Sequence, residues 1–263
     1  MMDRLFDLVF VRVPSDNYVN CLSTNPDRNK IDVILAKQQH RGYVSVLKEA
    51  GVEVIELGPL DAFPDSVFMQ DPALLGSRKA IIGRFGEERR RGEEKMLVEA
   101  LSHHSHKVGA LHHVLAPGTL EGGDIVVTDR GLFVGESSRS NAEGIRQLVG
   151  HLNDLDVKPV VTELFHLLCG CSYLSDGTMI IAPELVNTQS FPGFRFVTIP
   201  EEEAYACDAL YIGDKKVVIP AGYVTAASKL RGEGYTPVEV EVSEFRKGDG
   251  GVTCLSSPVY KIF

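Results

Sequence analysis

Cys254, in Asp249-Gly250-Gly251-Val252-Thr253-Cys254-Leu255, is the residue of this chain best suited to act as a nucleophile. A free thiol titrates near ~8.5, so at neutral pH it reacts only where an imidazolium or a cationic substrate stabilises the thiolate. Two other segments hold the groups that such chemistry needs. His166 lies in the apolar run Leu164-Phe165-His166-Leu167-Leu168, and Glu121 in Leu120-Glu121-Gly122-Gly123-Asp124. An imidazole moves protons near neutrality, and a carboxylate behind it fixes its orientation. Singly, each has a plainer reading: a small buried thiol, a core histidine, a turn. Together they point to covalent cysteine catalysis.

Elements far apart in the chain must bring these residues together, and a repeat supplies them. Four times the sequence gives a short β-rich arm, a tight polar turn and a second arm, at 73–82, 125–134, 172–181 and 209–219. A helical pattern and then a strand follow the first (93–101, 107–115), the second (141–152, 158–164) and the fourth (225–230, 236–242). After the third, 184–189 and 196–199 make a shorter version. The period of roughly fifty residues falls in the range of repeat architectures. A fifth unit is split: 31–50 and 52–57 give its helix and strand, and the missing arms are 5–13 and 252–262. Pairing of the chain ends would then close a ring and put Cys254 near its axis. Acidic residues stand at hairpin entrances, Asp71, Asp124, Asp208 and Asp249, so a ring would gather carboxylates that need a cation. A planar guanidinium meets carboxylates edge-on better than a point-like ammonium does.

Composition narrows the partners. The balance of 27 Lys+Arg against 36 Asp+Glu gives a net charge of −9, which disfavours nucleic acid and suits a small cation. Apolar runs are strand-sized, and the start at Met1-Met2-Asp3-Arg4 leads into no signal-peptide core, so no membrane role and a cytoplasmic location are expected. Five cysteines, an odd number, argue for reduced thiols. With no linker-like stretch, residues 1–263 read as one α/β domain. Arg89-Arg90-Arg91, among glutamates, reads as a solvated helix start. The histidines from His103 to His113 fit no standard metal spacing, so no metal site is expected there. A blade could pair with its twin in a homodimer.

Five ordered segments resemble dimethylarginine dimethylaminohydrolase, of the guanidino-group modifying superfamily. They are Asp65-Ser-Val-Phe-Met-Gln-Asp-Pro-Ala73, Leu120-Glu-Gly-Gly-Asp-Ile-Val-Val127, Phe133-Val-Gly-Glu-Ser-Ser-Arg-Ser-Asn141, and the stretches around His166 and Cys254, with Ala36-Lys-Gln-Gln-His40 near the start. The resemblance implies a five-bladed pseudo-symmetric α/β propeller (pentein). It implies that Cys254 attacks a guanidinium carbon, that His166 protonates the departing amine and then activates water, and that Glu121 orients His166. It further implies that Asp65 and Asp71 bind substrate nitrogens, that Arg84 and Arg139 bind an α-carboxylate, that a carbonyl near Gly248 contributes, and that 14–26 forms a lid. The products would be citrulline and an alkylamine, with no metal and no cofactor, because the substrate itself carries the electrophilic cation. Gln70 departs from the acidic residue often found in the family before Asp71, which bears on methyl recognition. The alternatives are an arginine deiminase or amidinotransferase using the same residues, or a non-catalytic binding propeller such as a ribosome anti-association factor. That factor is not expected to keep Cys254, His166 and Glu121 together.

Overall fold

Tight polar turns between β-rich arms form hairpins where the sequence predicts them, and each hairpin gains a third, parallel strand. The computed structural model describes residues 4–263; Met1, Met2 and Asp3, the start read above as carrying no leader, lie outside it. The chain opens with β1 (Phe6–Arg12), α1 (Val33–Glu49) and β2 (Glu53–Leu57), with β2 parallel to β1. The next unit is β3 (Ala73–Gly76), β4 (Lys79–Ile82), α2 (Glu93–Ser102) and β5 (Ala110–His113), in which β3 and β4 are antiparallel and β5 runs parallel to β4. The same order recurs in β6 (Ile125–Thr128), β7 (Gly131–Glu136), α3 (Ala142–His151) and β8 (Val157–Val161).

The unit of β9 (Cys171–Tyr173), β10 (Thr178–Ile181) and β11 (Arg195–Thr198) keeps the pairing without the helix. A single 3-10 turn, Thr188–Ser190, capped by the Asn187 side chain, replaces the short helix expected over 184–189. Then come β12 (Leu210–Gly213), β13 (Lys216–Pro220), α4 (Val224–Gly232) and β14 (Thr236–Val240), the short α5 (Ser243–Arg246), and β15 (Ser256–Tyr260). β15 pairs antiparallel with β1, so the chain ends meet and complete the split unit. It also runs parallel to β3, which joins two units into one six-stranded sheet, β2-β1-β15-β3-β4-β5; the other three sheets have three strands each and none closes into a barrel.

α1 shows how a helix is fitted to its sheet. Its buried apolar residues Ala36, Tyr43, Val44 and Leu47 recur at helical spacing and form one face, with Gln39 and His40 buried beside them. The Asp32 carboxylate caps the first turn by accepting the N–H groups of Ile34 at 2.9 Å and Leu35 at 3.1 Å, and Gly51, at φ +70°, ends the helix. The Tyr43 hydroxyl and Ser256 Oγ, 2.7 Å apart, tie α1 to β15. Among the described residues no helix is long and apolar enough to cross a membrane.

Candidate active site

The hairpin entrances carry the chemistry, one unit after another. Asp71, Asp208 and Cys254 lie two residues before β3, β12 and β15, Glu121 four before β6 and His166 five before β9. Three of them, Asp71, His166 and Cys254, line one narrow pocket together with Leu22, Asp65, Phe68, Arg90, Arg139, Phe165, Cys169 and the loop Gly248–Gly250. That pocket encloses about 380 Å³. Roomier depressions beside α2 and α1 hold no comparable set of groups.

His166 and Glu121 form the centre of the site. His166 Nε2 lies 2.9 Å from Glu121 Oε2, and the other Glu121 oxygen accepts the Gly86 N–H at 2.9 Å. Nδ1 of the ring lies 3.7 Å from Asp71 Oδ1. Burial disfavours the charged ring, yet the Asp71 charge and the Glu121 hydrogen bond and charge outweigh it and lift His166 to about 9. Burial acts to raise Glu121 as well, but the His166 contact holds it below the ordinary carboxylate value. The two shifts describe one ion pair: imidazolium against carboxylate. Gly123 allows the ring this position, because a Cβ there would sit 2.4 Å from His166 Nδ1. Asp71, Glu121 and His166 could each offer a metal a ligand atom within 4.8 Å of the others. His166 and Glu121 instead bind each other, and Asp71 Oδ2 is taken by Arg90 at 2.6 Å.

Cys254 is partly exposed on a single turn, Thr253–Leu255, whose next residues enter β15. Burial, then the charges of Asp208 and Asp71, push its thiol well above the ordinary value. The resting nucleophile is therefore protonated, and only an added positive charge can bring out the thiolate. Two buried polar atoms in the pocket make long ionic contacts but no hydrogen bond. Asp71 Oδ1 is a buried acceptor with no hydrogen bond, and Arg139 Nη1 is a buried donor with none. The Arg139 guanidinium stacks on Phe165, 4.0 Å from the ring centroid, and lies 3.8 Å from Glu121 Oε1. Unpaired buried polar atoms cost about 1–3 kcal/mol each, so they are aimed at a ligand more readily than tolerated in an empty pocket.

The remaining expected residues divide. Asp65 lines the pocket, and its carboxylate accepts the Leu22 N–H at 3.1 Å, which ties the one residue of the 14–26 segment that lines the pocket to its wall. Gly248 lines the pocket where a Cβ would strike the Tyr18 hydroxyl at 2.4 Å. Arg84 does not reach it. Its Nη1 donates to Gly118 O at 3.2 Å, and its side chain lines the separate depression beside α2, because the β-bridge between Arg84 and Leu120 turns it that way. Gln70 does not reach it either: its amide donates to Gly122 O at 3.2 Å and lines a separate cavity with Ile125, Ser172 and Leu210. The chain turns between Asp65 and Pro72, with the Asp71 N–H donating to Phe68 O, and within this turn Asp71 enters the pocket while Gln70 points away from it.

Sequence reading missed the place of Arg90 and gave Asp208 no role beside Cys254. Arg90 is no solvated helix residue. It is 4% exposed, binds Asp71 and both Glu93 oxygens, and stacks on Phe85 at 4.4 Å. Glu93, three residues along, was the available signal for an inward pair. Asp208 carried only its place at a hairpin entrance.

Comparisons with known proteins agree on one family. The family described as N,N dimethylarginine dimethylhydrolase, eukaryotic, matches residues 14–186. An uncharacterized protein of Aeropyrum pernix is 42% identical over 100% of this chain and 98% of its own length. The N(G),N(G)-dimethylarginine dimethylaminohydrolase of Pseudomonas aeruginosa is 38% identical over 96% of this chain and 99% of its own. A structure of the Pseudomonas enzyme, a cysteine-to-serine mutant complexed with citrulline, superposes with a TM-score of 0.90 over 97% of this chain and 100% of that one. The N-terminal domain of ArgZ, a cyanobacterial arginine dihydrolase, shares the fold at 22% identity, with a TM-score of 0.87 over 97% of this chain and 98% of that one.

Proposed function

The chain belongs to the dimethylarginine dimethylaminohydrolase family, and we propose on that footing how its pocket hydrolyses methylated arginine to citrulline and a methylamine. One observation carries the assignment of roles. The pocket that holds Cys254 presents a buried acceptor without a hydrogen bond, Asp71 Oδ1, and a buried donor without one, Arg139 Nη1, each with only a long ionic contact, at 3.7 Å to His166 and 3.8 Å to Glu121. A zwitterionic guanidino acid has a cation for the first and a carboxylate for the second. Asp65 is the further carboxylate beside the guanidinium or the amino group, Gly248 supplies backbone at the mouth, and Arg90 holds Asp71 in place.

The guanidinium, seated against Asp71, draws the Cys254 thiol towards thiolate. Sγ then attacks the central carbon, and a C–S bond forms as the carbon becomes tetrahedral. His166, already protonated, gives its proton to the alkylated nitrogen; the C–N bond breaks, the amine leaves, and a thiouronium-type intermediate remains on sulfur. The neutral ring then takes a proton from water, which attacks the same carbon. As the carbonyl forms, the hydroxyl proton of the adduct passes to solvent, the C–S bond breaks and citrulline is released. Glu121 holds Nε2 throughout, so the ring keeps its orientation while its proton moves.

The five hairpin-plus-strand units support a five-bladed propeller closed through β1 and β15, formed by 1–263 as one domain. The net charge of −9 fits a small cationic substrate in the cytoplasm with neither nucleic acid nor membrane as partner. Exposed outer strands such as β8, where Val161 is 83% exposed, offer surface for a homodimer. The fold alone does not choose between methylated and free arginine, since ArgZ shares it. Wild-type protein given dimethylarginine or arginine should release citrulline from the first at much the higher rate, and Cys254→Ser should release none. Faster turnover of arginine would reassign the substrate, and an active serine variant would remove Cys254 from its role.

A further inference from the structure

Asp208 has no part in the reaction as written, yet both its oxygens are engaged beside the nucleophile. Oδ1 accepts the backbone N–H of Thr253 at 2.6 Å, and Oδ2 accepts the Cys254 thiol at 3.7 Å. The residue is 3% exposed and forms no ion pair among the described residues. Room for it depends on Gly251, where a Cβ would lie 2.2 Å from Oδ2. The charges around it are unfavourable: Asp71 raises its carboxyl, and its own charge in turn raises Cys169, Cys207, Tyr43 and Tyr205. Burial raises its carboxyl to about 6, against the hydrogen bonds from Thr253 and Cys254, so at neutral pH it is ionised. A carboxylate and a thiolate this close in a buried site repel, and the pair therefore shares one proton and one negative charge.

The thiol proton needs a destination when the guanidinium arrives. His166, the usual base, already holds its proton, being lifted to about 9. We infer that Asp208 is the proton acceptor of Cys254: with a guanidinium against Sγ, the S–H bond breaks and an O–H bond forms on Oδ2. A thiolate and a neutral carboxylic acid result, with the charge of the pair unchanged. When the C–S bond of the intermediate breaks, the proton returns to sulfur. This rests on the reading that Cys254 attacks a guanidinium, and it makes Asp208 a catalytic residue in contact with the reacting atom.

Methylguanidinium chloride is the probe, and thiolate absorbance in the ultraviolet and proton release into weakly buffered indicator solution are the two readouts, at neutral pH. Wild-type protein should gain thiolate absorbance while releasing no proton beyond the baseline set by Cys254→Ser, which keeps His166 and Asp71. Asp208→Asn should release about one proton per thiolate formed, because the amide cannot hold it. Its free thiol should also be alkylated by iodoacetamide at lower pH than that of the wild type, with the neighbouring charge gone. Release of about one proton per thiolate by the wild type overturns the assignment. So does the absence of thiolate at saturating methylguanidinium, or an asparagine variant that matches the wild type in both readouts. The wild-type measurement stands even if the variant fails to fold. Turnover of dimethylarginine on the same preparation separates the two ideas: its absence sinks the hydrolase reading, whereas its presence with a released proton sinks the role of Asp208 alone.

Discussion

Glu121→Gln tests the centre of the proposed mechanism, because it removes a charge while keeping the shape. In the wild type, His166 rises from 6.5 to about 9 although burial opposes the charged ring. At about 1.4 kcal/mol per unit, that is roughly 3 kcal/mol in favour of the imidazolium. Asp71 supplies the first share and Glu121 the next two, its hydrogen bond and its charge. With glutamine, the Asp71 share and the burial penalty remain, so the His166 pKa should fall by about 1–2 units. The amide also cannot serve both former partners. Glu121 accepts from Gly86 N–H and from protonated His166 Nε2, and a glutamine offers one oxygen and one NH₂, leaving a donor facing a donor at a cost of about 1–3 kcal/mol. The first chemical step needs imidazolium, so turnover should be lost as pH rises through the His166 pKa, and the variant should lose it about 1–2 units earlier. Citrulline formation against pH measures that limb directly. Stability follows the same linkage. A group raised in the folded state stabilises it fully below its unfolded pKa and loses the effect as pH rises through the folded one. The gap between wild type and variant in a denaturation series should therefore be widest between the ordinary carboxylate range and 6.5, and should narrow towards about 9. A basic limb unmoved by the substitution would refute the ion pair as the origin of the His166 proton affinity.

Two further outcomes follow from the geometry. Arg139→Ala should raise KM for dimethylarginine by about tenfold or more, the equivalent of about 1.4 kcal/mol, with a smaller change in kcat, whereas Arg84→Ala should leave both within about twofold; the reverse order in steady-state kinetics would restore Arg84 to the carboxylate site. Asp208→Asn should be more stable than the wild type above pH 6 and equal to it below about 4: burial raises the folded carboxyl from 3.8 to about 6, so ionisation penalises the folded state by up to about 3 kcal/mol as pH climbs through that window. Thermal melts at the two pH extremes read the sign.

What the sequence shows of this fold is what local chemistry decides. A tight polar turn between β-rich arms is self-contained, so the hairpins of β3–β4, β6–β7, β9–β10 and β12–β13 can be read from a dozen residues each, and the split unit follows because the arms at 5–13 and 252–262 are left without a hairpin of their own. Side-chain direction in irregular segments is a different matter. Whether Arg84 or Arg90 faces the pocket depends on the path from β4 to α2, set by the Arg84–Leu120 bridge, the Glu87 cap and Gly92 at φ +120°. No periodicity reports that path. Gln70 and Asp71 are adjacent in sequence and lie on opposite sides of the segment, so nearness to a functional residue told nothing about function.

The location of the nucleophile carries the same physics further. A reactive group close to a chain end would ordinarily sit where backbones fray, yet β15 has β1 on one side and β3 on the other. Gln70 N–H donates to the Cys254 carbonyl at 3.2 Å, and Thr253 N–H to Asp208, so both backbone neighbours of the thiol are pinned from different units. The thiol lines the pocket with Asp71 and His166 and lies 3.7 Å from Asp208, and each of these three stands at the start of its own hairpin. A carboxylate left buried without a cation, as Asp208 is, weakens the fold wherever it is ionised. Its persistence next to sulfur is therefore better explained by the proton it can take than by any stability it adds.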